Sequence, residues 1–326
     1  MLFLLGLLAS SPTVFSWETP VKEMHSFLFQ DGSYPEIAIY ETLFAPGQRV
    51  FQEEAVRLKV LNIVMPRPQT DVLNSYSNSI SVKRGVTFMK EHRDAFLRAK
   101  YQFGVPSAAP AAILYVETLY GKLRLRQYPT LDTLLSLAAL ADGPFRDSLL
   151  TKTYEDAQGY SPSEKWKKKS EWNQRMEEIG IFWKNELKSF LIFGAKANWS
   201  PDFLASVRGS WVGAFGHNQM LPSTALSKVS RFGMFDPWNW DDSIYVTAAE
   251  LHSKGWRSDS QNSIFQYNQA KWYVDSVWSL YTKLKDVDLE NWAGANRKED
   301  EVMANPADDI LYDMQDLRSG FYEQHL

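Results

Sequence analysis

The chain has 326 residues, 44% hydrophobic and 23% charged, ordinary values for a globular protein of one large domain or two modest ones. A formal net charge of -4 gives no electrostatic case for nucleic acid. Cysteine is absent, which excludes disulfides, thiolate zinc sites, a cysteine nucleophile and a cysteine-borne lipid anchor. The His residues at 25, 92, 217, 252 and 325 fall in no H-E-x-x-H pattern, and no G-x-S-x-G elbow is present, so metal and serine hydrolase readings are weak. Aromatics reach 14%, with 12 Trp. Most of these rings are needed to fill a core; others suit a cleft for sugars, which present C–H faces and hydroxyl rims.

The opening "MLFLLGLLASSPTVFSW" holds an apolar run at residues 2–8, too short to span a bilayer, followed by small residues at Ala9, Ser10, Ser11 and Ser16. Residues 1–16 read as a signal peptide lacking the usual leading Lys or Arg; the competing reading is a buried N-terminal helix. Residues 17–75 read as an N-terminal helical region. Its first part has a turn signal at Asp31-Gly32 and predicts short helices. "FQEEAVRLKVLNIVMPRPQ" keeps helical spacing until Pro66 and Pro68 stop it. From 81 to 103, Val82, Val86, Met89, Phe96 and Leu97 recur at helical spacing in one long polar-backed segment, ended by Gly104 and Pro106. The next helix carries Glu117, with Gly121 placed for a left-handed cap. "YPTLDTLLSLAALA" predicts another, starting near Thr130 or Asp132.

Residues 161–170, "SPSEKWKKKS", are highly charged and predict a solvated helix face or excursion. Beyond them Met176, Ile179, Trp183, Leu187 and Phe190 advance by three, four, four and three, which is one face of a helix. "DPWNWDDSIYVTAAELHSKGW" offers Asp241 or Asp242 as an N-cap and Gly255 as a stop. "SIFQYNQAKWYVDSVWSLYTKL" reads as one final long helix, and residues 286–326 form a predominantly acidic tail. There is no internal repeat and little strand alternation, so the class is mostly α.

Glu117 interrupts the apolar stretch "ILYVETLYGK". On a helix its neighbours are Ile113, Leu114, Tyr120 and Gly121. An ionised carboxylate is costly in such surroundings, so the group would hold its proton with a raised pKa and serve as a general acid. The competing readings are an ion pair with a distant Lys or Arg, or a head group that reaches water. A second stretch, "GSWVGAFGHNQMLPST", puts three Gly among neutral donors and acceptors, which suits a polyhydroxyl or acetamido ligand better than a phosphate. Taken alone, it also reads as a tight turn.

Four segments in order, "GVPSAAPAAILYVETLYGK", "GSWVGAFGHNQMLPST", "DPWNWDDSIYVTAAELHSKGW" and "FQYNQAKWY", resemble the membrane-bound B type of lytic murein transglycosylases, glycoside hydrolase family 103. The resemblance runs from about Gly104 to Tyr273 and implies a lysozyme-like, mostly α catalytic domain over residues 76–285, with additional N-terminal helices and a charged helical insertion at 151–178. It implies a catalytic acid at Glu117, a serine near the reacting sugar at Ser210, a glycan-contacting glutamine at Gln219, a Tyr-Asn pair on the cleft wall at Tyr267 and Asn268, and a cleft tyrosine at Tyr76. It implies glycan strands of peptidoglycan as the substrate, cell-wall machinery proteins as further partners, no cofactor, and export to the periplasm or cell envelope of a bacterium.

The sequence departs from the family in two places. Where relatives carry an Asp-rich calcium loop, this chain has "SKVSRFGMF", with no carboxylate cluster, so no metal is expected. "GHNQ" has His217 and Asn218 where an aromatic and a glycine are usual. The implied reaction uses one carboxyl as acid and then base and leaves a 1,6-anhydromuramoyl end. A hydrolytic muramidase and a catalytically silent wall-binding or scaffold protein are the rival expectations.

Overall fold

The computed structural model describes residues 17–30, 32–64, 76–122, 128–147 and 161–292. The signal-peptide reading and most of the acidic tail lie outside these residues. The chain opens with α1 (Glu18–Phe29) and a 3₁₀ helix, Pro35–Phe44. The 3₁₀ helix buries Ile37, Tyr40 and Leu43, a spacing of three that matches three residues per turn. Then come α2 (Glu53–Val64), α3 (Ser79–Glu91), α4 (Arg93–Phe103) and α5 (Ala108–Thr118). β1 (Tyr128–Pro129), α6 (Thr130–Ala138), α7 (Pro162–Lys196) and α8 (Pro201–Ser206) follow. β2 (Arg208–Gly209) pairs antiparallel with β1, Tyr128 opposite Gly209. The chain continues through α9 (Pro222–Phe232), α10 (Trp240–Ser253), α11 (Ser260–Tyr267) and α12 (Lys271–Leu284). The class is mostly α, as predicted.

Two apolar cores result. The first gathers α1, the 3₁₀ helix, α2, α6, α7 and the 211–220 loop. Its spine is α7, which packs against α6 and α9. A capping box starts α7: Ser161 N–H donates to Glu164 Oε2 at 2.8 Å while Glu164 N–H donates to Ser161 Oγ. All five predicted face residues are buried, and Trp172 joins them. The charged segment 161–170 is therefore the solvated start of a helix whose next turns enter the core.

The second core gathers α3, α4, α5, α10, α11 and α12. Helix α5 is buried along its whole length from Ala108 to Glu117. Its small residues at 108, 109, 111 and 112 let α3, α10 and α12 pack closely around it. Ile113, Leu114 and Val116 are fully buried, each worth about 1.5–3 kcal/mol of transfer free energy. Tyr245 and Tyr267 pack against both cores.

Three boundaries differ from the sequence expectation. The 81–103 segment is two helices, divided at His92, whose Nδ1 lies 2.7 Å from Asp241 Oδ1 and whose ring packs on Phe88. The cap of α10 is Asn239, whose side chain accepts from Asp242 N–H at 3.1 Å; Asp241 and Asp242 sit in the first turn, facing the positive end of the helix dipole. The final helix is two helices, because the chain is extended at Asn268 and again at Ala270. The start of the acidic tail docks: Leu289 is buried, and its carbonyl accepts from Arg93 Nε at 2.6 Å.

Candidate active site

Glu117 sits in the last turn of α5, 8% exposed. The chain leaves that helix through three consecutive left-handed residues, Leu119 (φ 49°), Tyr120 (φ 54°) and Gly121 (φ 77°). The left-handed cap thus begins two residues before Gly121. A non-glycine residue pays about 1–2 kcal/mol for this conformation. Tyr120 offsets some of it by donating its hydroxyl to Ala111 O at 3.0 Å and stacking on Phe88 at 4.0 Å. The turn brings the chain out of the core immediately beyond the carboxyl group.

Among the described residues, no Lys or Arg forms an ion pair with Glu117. Burial pushes its carboxyl up to about 8, and a hydrogen bond from Tyr273 pulls it partly back. That bond is 2.6 Å, from Tyr273 hydroxyl to Glu117 Oε1. At pH 7 a group with this pKa is protonated by roughly ten to one. The ion-pair and water-reaching readings of Glu117 therefore do not hold.

The 208–220 segment folds back twice, with bridges Gly209 to Phe215 and Phe215 to Met220. Gly209 is required there: a Cβ would stand 2.2 Å from Ala214 O. Gly213, at φ 75°, makes the reversal. Ser210 Oγ accepts from Ala214 N–H at 3.1 Å and Val212 N–H at 3.4 Å, so this serine staples its own loop. Gln219 is left-handed at φ 45°, and its Nε2 donates to Gly216 O at 2.7 Å. Such backbone strain collects at functional sites.

Tyr267 and Tyr273 join this loop to the acid. Their rings are parallel, 4° apart in tilt and 6.3 Å between centroids. Tyr267 donates to Asn218 O at 2.9 Å, while Tyr273 donates to Glu117. Burial pushes both hydroxyls well above the ordinary tyrosine range, so both remain donors. Asn268 follows in extended backbone, its Oδ1 buried with no hydrogen-bond partner among the described residues. Tyr76 is 3% exposed and packs edge-on against Tyr115, below the surface rather than on an open wall.

Tyr273 was not singled out from the sequence, although it lies within "FQYNQAKWY". Its available signal was its place as the fourth aromatic of the motif, after Phe265, Tyr267 and Trp272. Read as one continuous helix, that segment gives it no reason to meet Glu117. His217, at the altered motif, stacks on Trp240 at 3.5 Å with the rings 3° apart, and burial holds its pKa below the ordinary value. Trp240 also closes over Gly121, where an added Cβ would lie 3.2 Å from its ring. Among the described residues, no three His, Asp or Glu converge to hold a metal ion.

The family model described as the transglycosylase SLT domain matches residues 47–301. A curated relative, membrane-bound lytic murein transglycosylase B of Escherichia coli (strain K12), is 24% identical over 193 residues, 58% of this chain. That match spans 43% of the relative's own length. Among solved structures, Escherichia coli lytic transglycosylase SLT35 in complex with bulgecin A matches with a TM-score of 0.58 at 17% identity, covering 86% of this chain and 94% of that one. SltB3 from Pseudomonas aeruginosa in complex with NAG-NAM-pentapeptide matches with a TM-score of 0.59 at 16% identity, covering 83% and 80%. At these identities the structural likeness is one of fold, the lysozyme-like fold of lytic transglycosylases. The family match covers well over half of the chain, from α2 through the Tyr267–Tyr273 pair, and the chain belongs to the transglycosylase SLT-domain family.

Proposed function

We propose that this protein is a lytic transglycosylase that cleaves the bond between N-acetylmuramic acid and N-acetylglucosamine in peptidoglycan, with Glu117 as its catalytic acid and then base. The observation that carries the reading is the buried carboxyl of Glu117, raised to about 8 and bonded to a tyrosine, with no cation paired to it among the described residues. Protonated Glu117 donates to the bridging oxygen, and the bond from that oxygen to C1 of the muramoyl ring breaks. The ring's own acetamido oxygen supports the cationic carbon. Ionised Glu117, steadied by the Tyr273 hydroxyl, then takes the proton from the C6 hydroxyl as O6 bonds to C1. The product is a 1,6-anhydro ring, formed without water.

Ordinary glycosidases pair two carboxylates. The nearby carboxylates here have other partners: Glu250 pairs with Lys228 and Lys254, and Asp241 with His92. A tethered nucleophile makes a second catalytic carboxylate unnecessary. Gln219, Asn268 and Ser210 orient the acetamido group and neighbouring sugar, and Tyr267 holds the loop that carries Gln219. Tyr76 supports the floor from beneath. Peptidoglycan lies outside the cytoplasm, so the reading places the protein in a bacterial envelope. No helix among the described residues is long and apolar enough to cross a membrane.

The test is digestion of purified murein by the wild type and by Glu117→Gln, with product masses read. Muropeptides lighter than the hydrolytic product by one water, made only by the wild type, are the expected result. Reducing ends would show a muramidase, and no soluble product would leave a wall-binding protein.

A further inference from the structure

A pocket of about 280 Å³ is lined by Gln219 and Tyr267 and does not include His217 or Trp240 in its lining. Its charged lining residues are Glu250 on α10 and Lys254 at that helix's C-cap. Glu250 is 6% exposed and shared by two ammonium groups: Lys228 Nζ pairs with Oε2, and Lys254 Nζ lies 3.1 Å from Oε1. Lys228 is buried behind the wall at 4% exposed, whereas the Lys254 side chain is 25% exposed and lines the pocket.

One carboxylate between two cations leaves one positive charge in excess. The excess faces a recess in which water screens it less than on an open surface. Glu186, one turn along α7 from the lining residue Phe182, does not line the pocket; its carboxylate accepts from Ser223 N–H at 2.8 Å and from the Ser223 hydroxyl at 2.5 Å. The rest of the wall divides by chemistry. Thr224, Gln266 and Gln269 offer neutral hydrogen-bonding groups, and Phe182 and Met220 an apolar floor. An anion with hydrocarbon and amide groups beside it matches that division; a neutral sugar does not use the charge.

We propose that this pocket is a stem-peptide subsite, in which Lys254 receives a free carboxylate of the peptide attached to the muramoyl ring. The proposal rests on the glycan reading of the Glu117 site and adds to it a specificity-determining residue. The glycan reading puts Gln219 beside the sugar from which the stem leaves, and Gln219 and Tyr267 both line the pocket. Glu250 fixes the Lys254 ammonium, and Lys228 compensates Glu250, so the cation is positioned before the ligand arrives. Amide groups of the stem meet Gln266 and Gln269.

The experiment uses the full chain carrying Glu117→Gln and measures binding by calorimetry, so it does not depend on turnover. The probes are a NAG-NAM disaccharide with a pentapeptide, the same disaccharide without the peptide, and the peptide form with its carboxylates amidated. The stem-bearing probe is expected to bind about fivefold more tightly than either of the others, the worth of one partly screened ion pair. Lys254→Met should bring that ratio to about one, and Lys254→Arg should keep it, with unchanged thermal midpoints showing that both variants fold. Equal affinity for all three probes would overturn the subsite while leaving the glycan reading standing. A preference that survives Lys254→Met, or an equal loss on every probe, would also overturn it. Failure of every probe to bind would remove the glycan reading and the subsite together.

Discussion

Tyr267 and Tyr273 stand with parallel rings 6.3 Å apart, one hydroxyl on the carbonyl of Asn218 and the other on the carboxyl of Glu117. The acid and the Gln219 loop are therefore held by two neighbouring side chains of one short segment. Moving either tyrosine changes a proton affinity on one side or a loop position on the other.

Tyr273→Phe removes the hydrogen bond that favours ionised Glu117. The carboxyl pKa should rise further above about 8, and the alkaline limb of the pH–rate profile should move to higher pH. The maximal rate should fall about tenfold, because the same bond steadies the carboxylate formed after proton donation. A pH profile of muropeptide release reads both effects; an unmoved limb would detach Tyr273 from the acid.

Glu117→Gln should stabilise the fold in a pH-dependent way. The folded state holds this proton up to about 8, against an ordinary value of 4.5, so wild-type stability declines as pH rises between those values and levels off above them. Gln carries no such penalty. Denaturation in urea should show similar stability for the two proteins near pH 4 and an advantage for the variant of a few kcal/mol, to order of magnitude, at pH 9. A difference that does not change with pH would contradict the burial of this charge.

Gly209→Ala places a methyl group 2.2 Å from the Ala214 carbonyl. The loop must shift, and the β1–β2 pairing and the Ser210 staple shift with it. A loss of about 1–3 kcal/mol is expected from overpacking of this kind, with turnover falling further than stability. Thermal melts and murein digestion on the same sample separate the two.

Tyr267→Phe keeps the ring and removes the bond to Asn218 O. About 1 kcal/mol of stability should be lost. The affinity of the Glu117→Gln protein for a NAG-NAM disaccharide should weaken severalfold as the Gln219 loop loosens. An unaltered affinity would show that the loop is held by its own bonds alone.

Much of the architecture was legible in the sequence. The buried stripe from Met176 to Phe190 follows from helical spacing, and the solvated start of α7 from charge. The isolation of Glu117 among apolar neighbours pointed to a raised pKa, because desolvation acts through the immediate surroundings and these are partly local in sequence. What was hidden depends on distant partners. The division at His92 accompanies a contact with Asp241, far along the chain. The left-handed run begins at Leu119 because Tyr120 reaches back to Ala111, and no propensity favours that conformation in Leu or Tyr. That Ser210 Oγ also accepts from the Val212 and Ala214 N–H groups depends on how the loop folds back, which the glycine spacing alone does not reveal. The stack of His217 on Trp240 joins two motifs whose adjacency no spacing reveals.

The extended residues between α11 and α12 have a geometrical effect. In an unbroken α-helix, positions six apart are separated by about 240° around the axis and face different directions. By departing from the helix at Asn268 and Ala270, the backbone resets this phase. Two aromatic planes six positions apart then lie in one orientation, one hydroxyl on the acid and the other on the loop. An insertion or deletion of a single residue in this joint would misalign the planes while leaving each helix intact, so the register of three residues sets the alignment between acid and loop.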